Sequence, residues 1–133
     1  MLIYKQQDHP KVTQGKKKMD SKVFELNKLL SELNDQGGYF TDFINTRGIP
    51  AGVIRLHPGE NDSQEPHSVD EVYYVIEGNG FIKLDGKDHE IKEGTSIFVP
   101  AKAEHRFHGN KQELVIFYAL GVLLPYMVDI LAS

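Results

Sequence analysis

The chain contains no cysteine. That excludes disulfide bridges, thiolate metal ligands and cysteine nucleophiles together, and a reducing cytoplasm is the compartment such a composition suits by default. A long apolar run is also missing: 40% of the 133 residues are hydrophobic, but they are too scattered to span a bilayer. The opening "MLIYKQQDHPK" lacks an apolar core followed by small residues, so no secretory signal is expected. Acidic residues outnumber basic ones by 19 to 15, and the net charge of −4 argues weakly against nucleic acid as the main partner. The single basic run, "GKKKMDSK" (15–22), precedes the first apolar pattern and reads as a solvated tail rather than a phosphate-binding arm. The polar stretch before the first helix supplies no helical DNA-reading domain. Internal repeats and low-complexity segments are absent.

What is present is patterning. The length suits one domain that buries roughly two thirds of its unfolded surface. Residues 1–19 are expected to form a flexible tail and 20–133 a single domain. Val23, Leu26, Leu29, Leu30 and Leu33 recur at helical spacing, which predicts a helix over about 20–35, capped by Asp20 or Ser21 and ended by "DQGG". From Tyr39 the period changes. "YFTDFIN", "AGVIRLH", "EVYYVIEG", "GFIKLDG", "KDHEIKEG", "TSIFVP", "EHRFHG" and "ELVIFYALG" follow one another, punctuated by glycine, proline or aspartate. Strands at this spacing indicate a mainly β, antiparallel sandwich or barrel over about 39–121, not alternating βαβ units. "EGNG" and "LDGK" are expected to be hairpin turns. The apolar tail "LLPYMVDILAS" is expected to pack on the barrel or on a second subunit.

The stretch "EPHSVDEVYYVIEGNG" (65–80) brings acid and histidine to the mouth of a strand. Extended side chains alternate faces, so Glu65, His67, Glu71, Tyr73 and Val75 share one face. Pro66 holds Glu65 extended and so aligns it with His67. Imidazole and carboxylate on one face suit a divalent cation with nitrogen and oxygen ligands. A second stretch, "EGTSIFVPAKAEHRFHG" (93–109), places His105 just after a proline-led turn.

These two stretches resemble the paired motifs of the cupin superfamily, small jelly-roll β-barrels. In the first motif Gly59 is followed by five residues, Glu65-Pro66-His67, three residues, Glu71, six residues and Gly78. In the second, Gly94 is followed by five residues, Pro100-Ala101-Lys102, two residues and His105. Three positions depart from the family pattern: Glu65 stands for the first histidine, Lys102 for a glycine, and Gly109, with Asn110 beside it, for an asparagine.

The resemblance implies an antiparallel jelly-roll barrel in which His67, Glu71 and His105 hold a divalent metal: iron, manganese, nickel, cobalt or zinc. Glu65 then has two open roles. As a fourth ligand it would give a neutral set of two carboxylates and two imidazoles, lowering the ion's Lewis acidity. As a non-ligand it would bond a metal water or serve as a base. Glu65 and Tyr73 are the candidate catalytic groups. Arg55, if inward, would anchor a substrate carboxylate, although an exposed arginine is the commoner case, and Phe107 follows His105 as a candidate pocket wall. His9, His57, His89 and His108 are expected outside the site. Function is expected to be metal-dependent enzymology, dioxygenase-like or lyase or isomerase, on a small polar molecule. The alternatives are a non-catalytic barrel that binds a sugar or metabolite, with metal as anchor or absent, and a structural or storage-like subunit whose site is vestigial. A homodimer is expected, through apolar segments such as "FIKL" and "LLPYMVDIL".

Overall fold

The computed structural model describes residues 18–122. Among these described residues one helix, α1 (Leu26–Gln36), is followed by eight strands: β1 (Phe40–Ile44), β2 (Ala51–Leu56), β3 (Glu71–Glu77), β4 (Asn79–Leu84), β5 (Lys87–Lys92), β6 (Ser96–Val99), β7 (His105–His108) and β8 (Leu114–Leu120). Each of the eight strand-like segments of the sequence forms a strand. They assemble into two antiparallel sheets, a five-stranded one in the order β1-β2-β8-β3-β6 and a three-stranded one in the order β5-β4-β7.

The inner faces of both sheets share one core, to which Ile54, Tyr73, Val75, Ile82, Phe107, Ile116 and Tyr118 contribute. Along β3 the alternation is as expected: Glu71, Tyr73 and Val75 are buried, and Val72 and Tyr74 are exposed. β2 departs from it, being buried along its whole length. Its outer face is covered by α1, where Leu29 packs with Val53 and Val115.

Two local expectations are corrected. α1 begins at Leu26 with Glu25 at its N-cap, and that side chain makes no capping bond. Asp20 and Ser21 precede a non-helical stretch in which Val23 is exposed. Phe24 instead lies 4.7 Å from the Phe43 ring, so an aromatic contact with β1 holds the residues just before α1. Gly37, at φ 84°, ends the helix and donates its N–H to the Leu33 carbonyl.

The second correction concerns "EGNG". β3 and β4 belong to different sheets, so the chain there turns a corner between sheets instead of closing a hairpin. A register shift between Val75 and Glu77 opposite β8 bends the strand just before Gly78, which has φ 90°. "LDGK" does close a hairpin: Leu84 pairs with Lys87, and Asp85 and Gly86 both have positive φ. Residues 1–17 and the tail "LLPYMVDILAS" lie outside the described residues. Among the described residues no helix is long and apolar enough to cross a membrane.

Candidate metal centre

Glu71 opens β3 and His105 opens β7, so the two sheets each deliver one side chain to the barrel interior. His67 comes from the loop before β3, and that loop is tied down. The Lys102 N–H donates to the His67 carbonyl, and the Ala101 N–H donates to Asp70 Oδ1 at 2.9 Å. Lys102 achieves this at φ 72°, the left-handed region that favours the glycine of the family pattern. The turn of the second motif thus clamps the loop of the first. Beyond β7, Gly109 takes φ 74° and Asn110 turns inward to bond the Leu56 carbonyl at 3.1 Å.

Ligand-capable atoms of His67, Glu71 and His105 all lie within 4.8 Å of one another. His67 Nε2 is 2.8 Å from Glu71 Oε1, and His105 Nε2 is 3.5 Å from the same oxygen. Each of the three side chains is at most 1% exposed. Burial pushes the His67 imidazole down to about 3, which keeps it neutral and fit to ligate near neutral pH. Burial also raises the Glu71 carboxyl, against the bond from the Tyr73 hydroxyl that favours its ionised form.

The donor chemistry fits a cation. Nδ1 of His105 lies 2.9 Å from the Ala103 carbonyl, which only an N–H can satisfy. A neutral imidazole then carries a lone pair at Nε2, facing the Glu71 oxygen and, at 3.0 Å, Oε1 of Gln64. Glu71 Oε2 is buried with no hydrogen-bond partner. Convergent lone pairs and an orphaned carboxylate oxygen are a costly arrangement for a buried cluster. A divalent ion would relieve it, with His67, Glu71 and His105 holding the ion.

Tyr73 stands beside this group. Its hydroxyl is 2.8 Å from Glu71 Oε1 and 2.9 Å from Gln64 Oε1. Burial, with the Glu71 charge next to it, holds the phenol well above its ordinary value, so it is a proton donor. Phe107 packs edge-on against the Tyr73 ring at 4.8 Å and is a core residue. A hollow of about 250 Å³ touches Gln64, Pro66 and His105 from outside. A larger one, of about 560 Å³, is lined by residues such as Phe81, Glu90 and Lys92 and reaches none of the three ligand-capable residues.

Two expectations fail here. Glu65 is exposed and is not part of the ligand-capable group. Residues 57–68 are not a strand, so alternation does not govern them and Gln64 turns inward instead. Arg55 is neither exposed nor in the pocket. It is 6% exposed on the face of β2 opposite the barrel core, and its Nη1 donates to Asn34 Oδ1 of α1 at 2.6 Å. His57 pairs with Glu113 at the surface, His108 pairs with Asp88, and His89 is exposed, all as expected. His9 lies outside the described residues. Unforeseen participants are Asp62 and Gln64. Asp62 is 3% exposed and accepts hydrogen bonds from the Phe107 N–H, the Gln64 amide and Tyr39. The only signal for them in the sequence is an acid and an amide two residues apart between Gly59 and His67.

Comparison with known proteins agrees with this architecture. The cupin-domain family profile matches residues 52–121. An uncharacterized protein of Streptomyces coelicolor is 33% identical over 93 residues, covering 70% of this chain and 89% of its own length. The dimethylsulfoniopropionate lyase DddW of Ruegeria pomeroyi is 34% identical over 59 residues, 44% of this chain and 39% of the lyase. A 5-nitrosalicylic acid 1,2-dioxygenase of Bradyrhizobium is 30% identical over 84 residues, 62% of this chain and 41% of the dioxygenase. The matched region therefore spans less than half of either enzyme. Among solved structures, the cupin domain of Cnp3 from Schizosaccharomyces pombe superimposes with a TM-score of 0.58 at 13% identity, over 62% of this chain and 63% of that one. With both motifs, the two-sheet barrel and the matched profile in agreement, the chain belongs to the cupin family.

Proposed function

We propose that this cupin is a divalent-metal-dependent enzyme, dioxygenase-like or a lyase, acting on a small polar molecule. The observation that carries the reading is the convergence of His67, Glu71 and His105 with a tyrosine hydroxyl 2.8 Å from the carboxylate. Two imidazoles and one carboxylate are the donor set of facial triads, which leave positions open for substrate. Lewis acidity toward a substrate oxygen and, for iron, dioxygen activation are the chemistry such an ion supplies. The chain's own part is to hold the three donors by the clamp between Lys102 and His67, to exclude water by burial, and to keep a proton at the Tyr73 hydroxyl. That proton is placed to bond or protonate an oxygen of a molecule bound beside Glu71. Both an oxygenase and a lyase occur among the relatives, which supports enzymology without selecting a reaction.

One observation favours a second reading, a non-catalytic binding barrel. The three ligand-capable side chains are at most 1% exposed, and of the three only His105 lines the nearest hollow, beside Gln64. The two readings separate in a reconstitution experiment. Chelated protein is reloaded anaerobically with Fe²⁺, Mn²⁺, Ni²⁺, Co²⁺ or Zn²⁺ and given catechols, thiols, keto acids, 5-nitrosalicylate and dimethylsulfoniopropionate. Oxygen uptake with iron and one substrate class supports the dioxygenase, and substrate loss without oxygen uptake supports the lyase. Ligand retention after chelation, with no turnover under any metal, favours the binding barrel.

A further inference from the structure

We propose that Gln64, rather than Glu65, is the fourth protein donor of the metal centre, acting through its amide oxygen. The proposal rests on the metal-centre reading of His67, Glu71 and His105.

The first support is which way the amide faces. Oxygen and nitrogen of a glutamine are distinguished by what surrounds them. Nε2 of Gln64 lies 2.6 Å from Asp62 Oδ2, a carboxylate oxygen that can only accept. Asp62 is itself fixed, because the same oxygen takes the Phe107 N–H at 2.8 Å. The amide nitrogen is therefore committed to Asp62, and Oε1 must face the cluster.

The second support is spacing. Two adjacent donors on an octahedral ion, each about 2.1 Å from it, stand about 3 Å apart. Gln64 Oε1 and His105 Nε2 are 3.0 Å apart, and His67 Nε2 and Glu71 Oε1 are 2.8 Å apart. With the His105 proton on Nδ1, the Gln64–His105 contact joins two lone pairs. A shared cation accounts for that pairing of a neutral imidazole with the amide oxygen.

The third support is the chain path. Glu65 follows Gln64 directly and is exposed, so the inward-turning loop presents the amide where the family pattern presents a histidine. Asp62 then plays the part of the outer-sphere carboxylate that commonly orients a ligand.

The consequence concerns substrate class. With an amide as fourth donor, Glu71 is the one anionic group in the set, and a divalent ion retains a net positive charge. Two carboxylates would have cancelled it. The site is thus suited to a substrate that coordinates through an anionic oxygen, a carboxylate or an enolate.

The test is Co²⁺ binding by the chelated full-length protein, followed by calorimetry and by the visible absorption of the bound ion. Gln64→Ala should weaken binding at least about tenfold, as loss of a donor or its orienting partner does, and should change the visible band. Glu65→Ala should bind within about twofold of wild type. Should Gln64→Ala fail to fold, wild-type protein labelled with ¹⁵N at glutamine gives the answer alone: Zn²⁺ should shift the Gln64 side-chain amide resonance strongly. An unmoved amide, wild-type-like affinity and band in Gln64→Ala, or a loss confined to Glu65→Ala would each overturn the assignment. Retention of Co²⁺ by Glu71→Ala would overturn the centre itself, which separates the two failures.

Discussion

Asp62 organises the centre from a loop that has no strand hydrogen bonds of its own. A single carboxylate receives the Phe107 N–H, the Gln64 amide and the Tyr39 hydroxyl. Burial and the neighbouring Asp62 push that tyrosine up to about 12, so it stays protonated and donates. The same logic of burial acts on His67, whose imidazole falls from its ordinary 6.5 to about 3. In chelated protein the folded state therefore resists a proton that the unfolded chain accepts. This contribution is fully present above pH 6.5 and is lost as pH falls from 6.5 toward 3. Glu71, raised by burial, works in the opposite sense, so the imidazole must be isolated by comparison. Between about pH 7 and about pH 5, urea unfolding of chelated wild type should lose up to about 2 kcal/mol more than His67→Gln does. Equal losses in the two proteins would contradict the assignment. His67, Glu71 and His105 were legible in the sequence because motif spacing fixed them. Gln64 was not, because strand alternation was carried into a loop, and Arg55 was misplaced because nothing in its own segment announces that α1 covers it.

At the level of elements, the strands were readable from period and punctuation, while the connections needed three dimensions. "EGNG" and "LDGK" look alike as turns, yet one joins two sheets and the other closes a hairpin within one. What distinguishes them is their surroundings. A Cβ at Gly78 would collide with the Glu113 carbonyl and crowd Leu114 Cα, at a φ of 90°, whereas Gly86 of "LDGK", at φ 85°, has open space around it, as does Gly59 at φ 80°. Gly78→Ala should therefore cost roughly 2 kcal/mol or more, from the conformation together with the backbone clash. Gly59→Ala should cost only about 1 kcal/mol, from the conformation alone. Chemical denaturation of both variants checks the difference, and similar midpoints would show that the corner gives way more easily than its packing implies. The start of α1 was missed for a related reason. Helical spacing continued back to Val23, but the contact of Phe24 with Phe43 holds the preceding segment against β1.

For the whole molecule, closure of two sheets on one core explains why a chain without cysteine or metal-independent staples can bury its site so fully. The sequence placed uncovered apolar surface on "FIKL", but β4 is the middle strand of its sheet and Ile82 is 1% exposed. Exposed apolar side chains lie elsewhere, on the outer face of β3 and β6: Val72, Tyr74 and Phe98, with Val72 paired directly to Phe98. Among the described residues β6 is also an open edge of the larger sheet, and an apolar patch beside an open edge favours self-association. We propose that the expected homodimer uses this face. Light scattering should give a dimer mass for wild type and a monomer for Phe98→Asp, and a dimer that survives the substitution would place the interface elsewhere.

The central claim, that His67, Glu71 and His105 bind one divalent ion, is tested most directly by the stoichiometry of Co²⁺ binding to chelated protein. The account predicts one ion per chain in wild type and loss of that binding in Glu71→Ala, with His89→Ala unchanged as the surface control. Wild type that binds no ion, or Glu71→Ala that binds as wild type does, would contradict it.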